Sequence, residues 1–309
     1  MIKTYKKFLI FFLLIIFTLL FFLQKYNTII EHNKRDIFVA NTINHITNEI
    51  SYEKKYALSL AILFSKNQHI INALKNDRKE QPQMEIDTIL GSIFKHTQQT
   101  NIQIQVHTKD MKVFFRSWED KDRGLSLQNF RQGVVRVHQT HQPFVSNELG
   151  KRFNIKAISP IFDDKKYIGS LEVIMNYSSL KQRLKTVKIE VLPILHNSFL
   201  ETAISLKDNK KLHDYIVLEK EYNKKLYTLL AKNEKFLSQE KFYYMSDDTI
   251  ITMIPLGNIE ETAVGYLVAS FQNIDKTFQY LPNYQYKGSI ESSIPVNNEI
   301  KSQRNITIK

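Results

Sequence analysis

The sequence predicts an α+β protein: an N-terminal transmembrane helix, a long stalk helix, and two modules built on antiparallel sheets. Three observations predict it. Residues 8–23, FLIFFLLIIFTLLFFL, form an uncharged apolar run. After it, apolar residues recur at helical spacing for many turns without Pro or Gly. Beyond residue 100, short apolar runs separated by polar turns form paired strands, and a weaker version of the pattern returns after residue 210.

The apolar run, with its flanks, approaches the length that crosses about 30 Å of hydrocarbon. It passes directly into Gln24, Lys25 and Tyr26 without a small-residue cleavage site, so it reads as an uncleaved anchor. Lys3, Lys6 and Lys7 outweigh Lys25, which keeps the N-terminus cytoplasmic. The later apolar runs at 250–256 and 263–271 have strand length, so the chain crosses the membrane once. The expected location is the cell inner membrane, single-pass, with the bulk of the chain periplasmic.

Residues 27–76 form the expected stalk, with Ile43, Ile46, Ile50, Ala57, Leu60, Ala61 and Phe64 along one face. Residues 76–83, NDRKEQPQ, read as a loop, and Met84, Ile86, Ile89, Leu90, Ile93 and Phe94 outline a short amphipathic helix. Ile102, Ile104 and Val106 alternate with polar residues before a turn at Lys109 and Asp110, and Val113, Phe114 and Phe115 begin the return strand. A helix follows over 130–138, then strands over 153–162 and 167–177 joined by the polar turn at 163–166. The weaker repeat has helical sequence over 212–233 and strands near 241–245, 250–254 and 263–271. This gives an anchor over 1–26, a stalk over 27–76, a membrane-distal module over 77–182, a membrane-proximal module over 183–280 and a polar tail over 281–309 that is expected to be disordered.

Composition removes several function classes. The chain of 309 residues has no cysteine, which excludes disulfides, thiolate metal sites and cysteine nucleophiles. Its formal charge of +12 is spread along the sequence rather than interleaved with stacking aromatics, so no nucleic-acid partner is expected. No P-loop, dinucleotide fingerprint, nucleophile elbow or His-Glu-x-x-His motif is present, so the chain is read as no enzyme, without cofactor. His138 and His141, three apart with no matching carboxylate pattern, do not make a metal site.

Particular residues over 106–172 carry a resemblance. Phe115-Arg116-Ser117-Trp118, Gly124-Leu125, Phe130-Arg131, Pro143, Glu148-Leu149-Gly150, Ile158-Ser159-Pro160-Ile161-Phe162 and Gly169-Ser170-Leu171-Glu172 stand in an order and spacing. That set resembles the membrane-distal module of the double-Cache, PAS-like sensor domains of bacterial two-component sensor kinases, diguanylate cyclases and chemoreceptors. With stalk and second module the resemblance spans about residues 27–280. Two positions depart from it: the subgroup has an acidic residue after the glycine at 124, and an Arg where this chain has Lys156. Members of the family continue through a second membrane helix into an output module, so this sequence resembles the sensory half alone.

The resemblance implies an extracytoplasmic sensor that binds a small molecule and signals through a separate partner, a sensor kinase or a chemoreceptor, with the stalk as a homodimer interface. A truncated receptor or a structural envelope protein is the competing reading. The candidate ligand residues are Arg116, Trp118, Phe130, Arg131, Phe144, Glu148, Lys156 and Tyr167. Arg116 and Trp118, two apart on a strand, share a face and set a guanidinium beside an indole. Either they clamp a ligand carboxylate, or Arg116 merely covers a core Trp or pairs with Glu148. Arg131, Glu148 and Lys156 either meet the ligand or pair among themselves. Phe144 and Tyr167 either line the pocket or fill the core.

Overall fold

The computed structural model describes residues 2–273 apart from 79, 98, 100, 120, 121, 239, 240 and 261, with side chains from residue 11 onward except those of 80–82. The expected polar tail lies outside the described residues. Two compact units are present, divided between Arg35 and Asp36.

The first helix, α1 (Ile2–Phe64), contributes its residues up to Arg35 to the first unit. There Phe11, Phe17, Leu19, Leu20, Phe21 and Phe22 are all exposed. Of the helices among the described residues, α1 alone is long and apolar enough to cross a membrane, with a mean hydropathy of 1.8 over its most apolar stretch.

In the second unit α1 is a packed spine. Val39, Ile46, Ile50, Ala57, Leu60, Ala61 and Phe64 are buried in one core that also receives residues from both sheets. The continuous helix stops earlier than the expected residue 76. Asn67 caps a new helix, α2 (Gln68–Lys75), by accepting from the His69 and Ile70 amides at 2.9 and 3.3 Å. An Asn in extended conformation breaks a helix as effectively as the Pro or Gly that the segment lacks. The expected loop over 76–83 is shorter too, because α3 (Glu80–Thr97) begins within it. Pro82 sits in the first turn, where no intrahelical N–H is required.

The first sheet has β1 (Ile102–Thr108), β2 (Val113–Arg116), β3 (Phe144–Glu148), β4 (Asn154–Asp163) and β5 (Lys166–Met175), in the antiparallel order β2-β1-β5-β4-β3. Between β2 and β3 a loop and helix α4 (Gln132–Thr140) cross its open face. Side-chain alternation sends Ile104, Val106, Ile155, Ala157, Leu171 and Val173 to the helical spine. The partners in register on the opposite face are Arg116, Gln105 and Glu172, with Lys156 opposite Ile174.

Helix α5 (Ser178–Thr186) leads to the second sheet. Its strands are β6 (Glu190–His196), β7 (Lys211–Leu212), β8 (Tyr215–Val217), β9 (Tyr244–Ser246), β10 (Thr249–Gly257) and β11 (Ala263–Gln272), in the order β7-β8-β6-β11-β10-β9. Apart from the edge strand β7, this order repeats that of the first sheet. The expected helix over 212–233 is corrected: residues 211–217 form the β7–β8 hairpin, turned at His213 with φ of 52°. Helix α6 (Lys224–Lys232) starts only where Asn223 caps it, at 2.9 Å from the Leu226 amide.

Candidate functional site

The two sheets treat their outer faces in opposite ways. In the second module, α6 and the turn Glu234–Leu237 close that face with Leu192, Ile194, Val217, Leu226, Leu230, Phe236, Ile251 and Val268, an apolar fill. In the first module the corresponding face carries Gln105, His107, Arg131, Glu148, Lys156, Ser170 and Glu172, all buried. Polar groups are stripped of water at such a cost that a buried set of this size needs internal partners or a ligand.

Most of the partners are internal. Arg131 precedes the first turn of α4, and its Nε donates to Glu148 Oε1 at 3.1 Å while Nη2 donates to Glu172. Glu148 Oε1 also accepts from the Gly133 amide at 3.3 Å, which serves an N–H that α4 cannot satisfy itself. Gln105 accepts from Arg116 Nε at 2.6 Å and donates to Glu172 at 3.3 Å and to His107 Nε2 at 2.7 Å. His107 Nδ1 then lies 2.9 Å from the Ser170 hydroxyl, so a neutral ring with its proton on Nδ1 satisfies both contacts. Burial holds the His107 pKa below its ordinary value, against the pull of Glu172. Burial would raise Glu172, but the charges of Arg131 and Lys156 outweigh it and keep the carboxylate at about 2.

Above this network lies a cavity of about 270 Å³. Arg116, Trp118, Phe130, Arg131 and Lys156 from the sequence-derived set line it, joined by Gln103, Gln105 and Asn154 from the sheet. The Arg116 guanidinium lies 5.5 Å from the Trp118 ring centroid, so the two meet as expected, although β2 ends at Arg116 and Trp118 stands in the bend after it rather than on the strand. Arg116 is also held by Glu119 at 2.8 Å and Asp122 at 2.6 Å, rather than by Glu148. Glu148 sits behind Arg131 and does not reach the cavity wall. Phe144 lies under the Arg136 guanidinium at 4.1 Å, packed beside Val134, Val137 and Ile158. Tyr167 stacks on His141 at 4.5 Å, on the β4–β5 hairpin. Both are half-buried at the far end of the sheet, away from the cavity lining. Strand alternation gives the correct face but not the position along it.

Lys156 stands apart. Its side chain is buried and lines the cavity, yet among the described residues no carboxylate lies within ion-pair distance and no hydrogen-bond acceptor meets it. Burial, reinforced by the neighbouring charge of Arg131 and only partly offset by Glu148 and Glu172, lowers its pKa to about 8. At neutral pH most of it is still an ammonium ion, and the cavity therefore offers a cation with no direct ion-pair partner among the described residues.

The sequence reading missed Gln103, Gln105 and His107. They alternate with Ile104 and Val106, a pattern equally suited to a strand with one face in water. Only the crossing segment, which brings Arg131 over the sheet, makes that face an interior.

A family profile described as the double sensory domain of two-component sensor kinases matches residues 39–217. No curated protein matches the sequence. Among solved structures, the Vibrio cholerae histidine kinase DctB sensor domain aligns with a TM-score of 0.44 and 10% identity, over 78% of this chain and 100% of that one. The Escherichia coli DcuS sensor domain gives 0.34 and 16%, over 47% and 98%. The ligand-binding domain of the Campylobacter jejuni chemoreceptor Tlp3, solved with 4-methylisoleucine, gives 0.41 and 12%, over 77% and 88%.

Proposed function

The chain belongs to the family of double sensory domains of two-component sensor kinases, and on that premise we propose that it is a membrane-anchored periplasmic sensor whose first module binds a small anionic molecule. The family is one of sensory, ligand-binding domains and not of enzymes. The apolar first stretch of α1 supports the anchor. The output passes to a kinase or a chemoreceptor signalling module.

The observation that carries the reading is the unpaired ammonium of Lys156 in the cavity wall. Arg131 already has Glu148 and Glu172, and Arg116 has Glu119 and Asp122, so neither needs a ligand to be neutralised. Lys156 has no carboxylate at contact distance, Glu148 and Glu172 acting on it only from farther off, and a ligand carboxylate is a fitting direct partner in a space of about 270 Å³. Trp118 and Phe130 supply apolar wall for the remainder of such a molecule.

The test is a thermal-shift screen of carboxylates, amino acids and amines on the parent, Lys156→Met and Trp118→Ala. A carboxylate should raise the parent's Tm by several degrees at concentrations well above its Kd, and should leave Lys156→Met unmoved. Equal shifts in parent and Lys156→Met, or stabilisation by amines alone, would reject the anionic ligand.

A further inference from the structure

We infer that residues 147–152, the end of β3 and the loop after it, couple the cavity of the first module to the second module. The inference builds on the sensor reading and adds the route by which occupancy leaves the site.

Beyond its pairing with β4 and the packing of Leu149 on the core, this short segment has contacts that face two ways. Toward the cavity, Glu148 holds Arg131 at 3.1 Å. The Lys151 ammonium donates to Asp122 at 2.6 Å, and the same carboxylate oxygen takes Arg116 at 2.6 Å. Gly150 faces the Lys156 ammonium so closely that a Cβ there would stand 2.7 Å from Nζ. Toward the second module, the Asn147 amide donates to the Gly257 carbonyl at the end of β10, at 3.1 Å. The Lys151 carbonyl accepts from the Ser205 amide at 3.1 Å, and Ser205 itself reaches the rim of the cavity. Tyr177, entirely buried at the start of α5, donates to Asn147 Oδ1 at 3.2 Å and fixes the orientation of that amide.

Lys151 is therefore a joint. Its side chain belongs to the ionic strap at the cavity mouth and its backbone belongs to the contact with the second module. Glu148 and Asn147 are adjacent on a strand and point to opposite faces, so one serves the cavity charges and the other the neighbouring module. An anion that draws Lys156 away from Gly150, or that competes with Asp122 for Arg116, changes the forces on this segment. A displacement of the segment changes both inter-module hydrogen bonds together. The coupling is energetic, and linkage makes it reciprocal: loosening the inter-module contacts must alter anion affinity by the same factor.

The amide of Ser205 is a direct reporter, because its proton is the one donated to Lys151. Hydrogen exchange at Ser205 would be measured in the full chain in nanodiscs for the parent and for Lys156→Met, with no ligand present, and for the parent with added acetate. The Tyr227 amide in α6 serves as control. Loss of the cavity cation is expected to change Ser205 exchange by about fivefold or more, the lower end of ordinary coupling, while Tyr227 stays constant. Asn147→Ala, which cuts only the contact to Gly257, is expected to change acetate affinity by a comparable factor. An unchanged Ser205 rate in Lys156→Met would overturn the coupling whether or not acetate binds. A Ser205 response to Lys156→Met with no acetate binding would uphold the coupling and remove the anionic ligand instead.

Discussion

Lys156 concentrates the cost and the use of this site in one side chain. Its pKa of about 8 in the folded protein lies below the roughly 10.4 of an exposed lysine, so at pH 7 the folded state carries a charge it would rather not hold. Replacement by Met, of similar length and apolar, is therefore expected to raise stability by about 1–3 kcal/mol at pH 7 while abolishing anion binding. The pH dependence follows from the direction of the shift. Between about pH 8 and 10.5 the unfolded lysine still holds its proton and the folded one has released it, so the penalty is relieved as pH rises. The stability advantage of Lys156→Met should be full below pH 8 and shrink above it, which denaturant melts of both proteins at a series of pH values would show. The sequence brought Lys156 forward as a candidate, and also Arg116 and Arg131. It could not rank them, because whether a cation is neutralised depends on carboxylates such as Glu172, 41 residues from Arg131 in the chain and adjacent only once β5 lies beneath α4.

At the scale of elements, the two sheets share a device in their central strands. A Cβ on Gly169 of β5 would stand 2.2 Å from the His107 carbonyl oxygen, and one on Gly265 of β11 would stand 2.2 Å from that of Ile194. Backbone cannot yield as a flexible side chain can, so Gly169→Ala and Gly265→Ala are each expected to cost about 2–4 kcal/mol, read as a lowered denaturant midpoint. Between the modules, α5 is clamped to the spine by Arg183, which donates to Glu49 at 2.8 Å and to Glu53 at 2.6 Å. Glu53 is fully buried, so Arg183→Ala leaves an uncompensated carboxylate and should destabilise the chain by about 2–4 kcal/mol, with Arg183→Ala/Glu53→Gln recovering part of the loss. Strands with a clear turn between them were legible: the β4–β5 hairpin falls within two residues of its expected bounds. Elements set by a single cap were not. Asn67 and Asn223 each look like ordinary polar residues of a helix until their side chains are seen to close on backbone amides.

For the whole molecule, the repeated strand order makes two copies of one architecture, and the copies differ in what covers their outer faces. The second fills its outer face with aliphatic and aromatic side chains, and the first keeps a charged interior around a cavity. A protein that needed only stability would fill both. The resemblance legible in residues 106–172 led to the family, but not to this division, because no spacing in the sequence distinguishes a buried polar strand from an exposed one. The most direct test of the account is calorimetric titration of the best carboxylate from the thermal screen into the parent chain and into Lys156→Met. One site per chain is expected in the parent, with at least a tenfold loss of affinity in a Lys156→Met protein that is as stable as the parent or more so. Undiminished binding to Lys156→Met would contradict it.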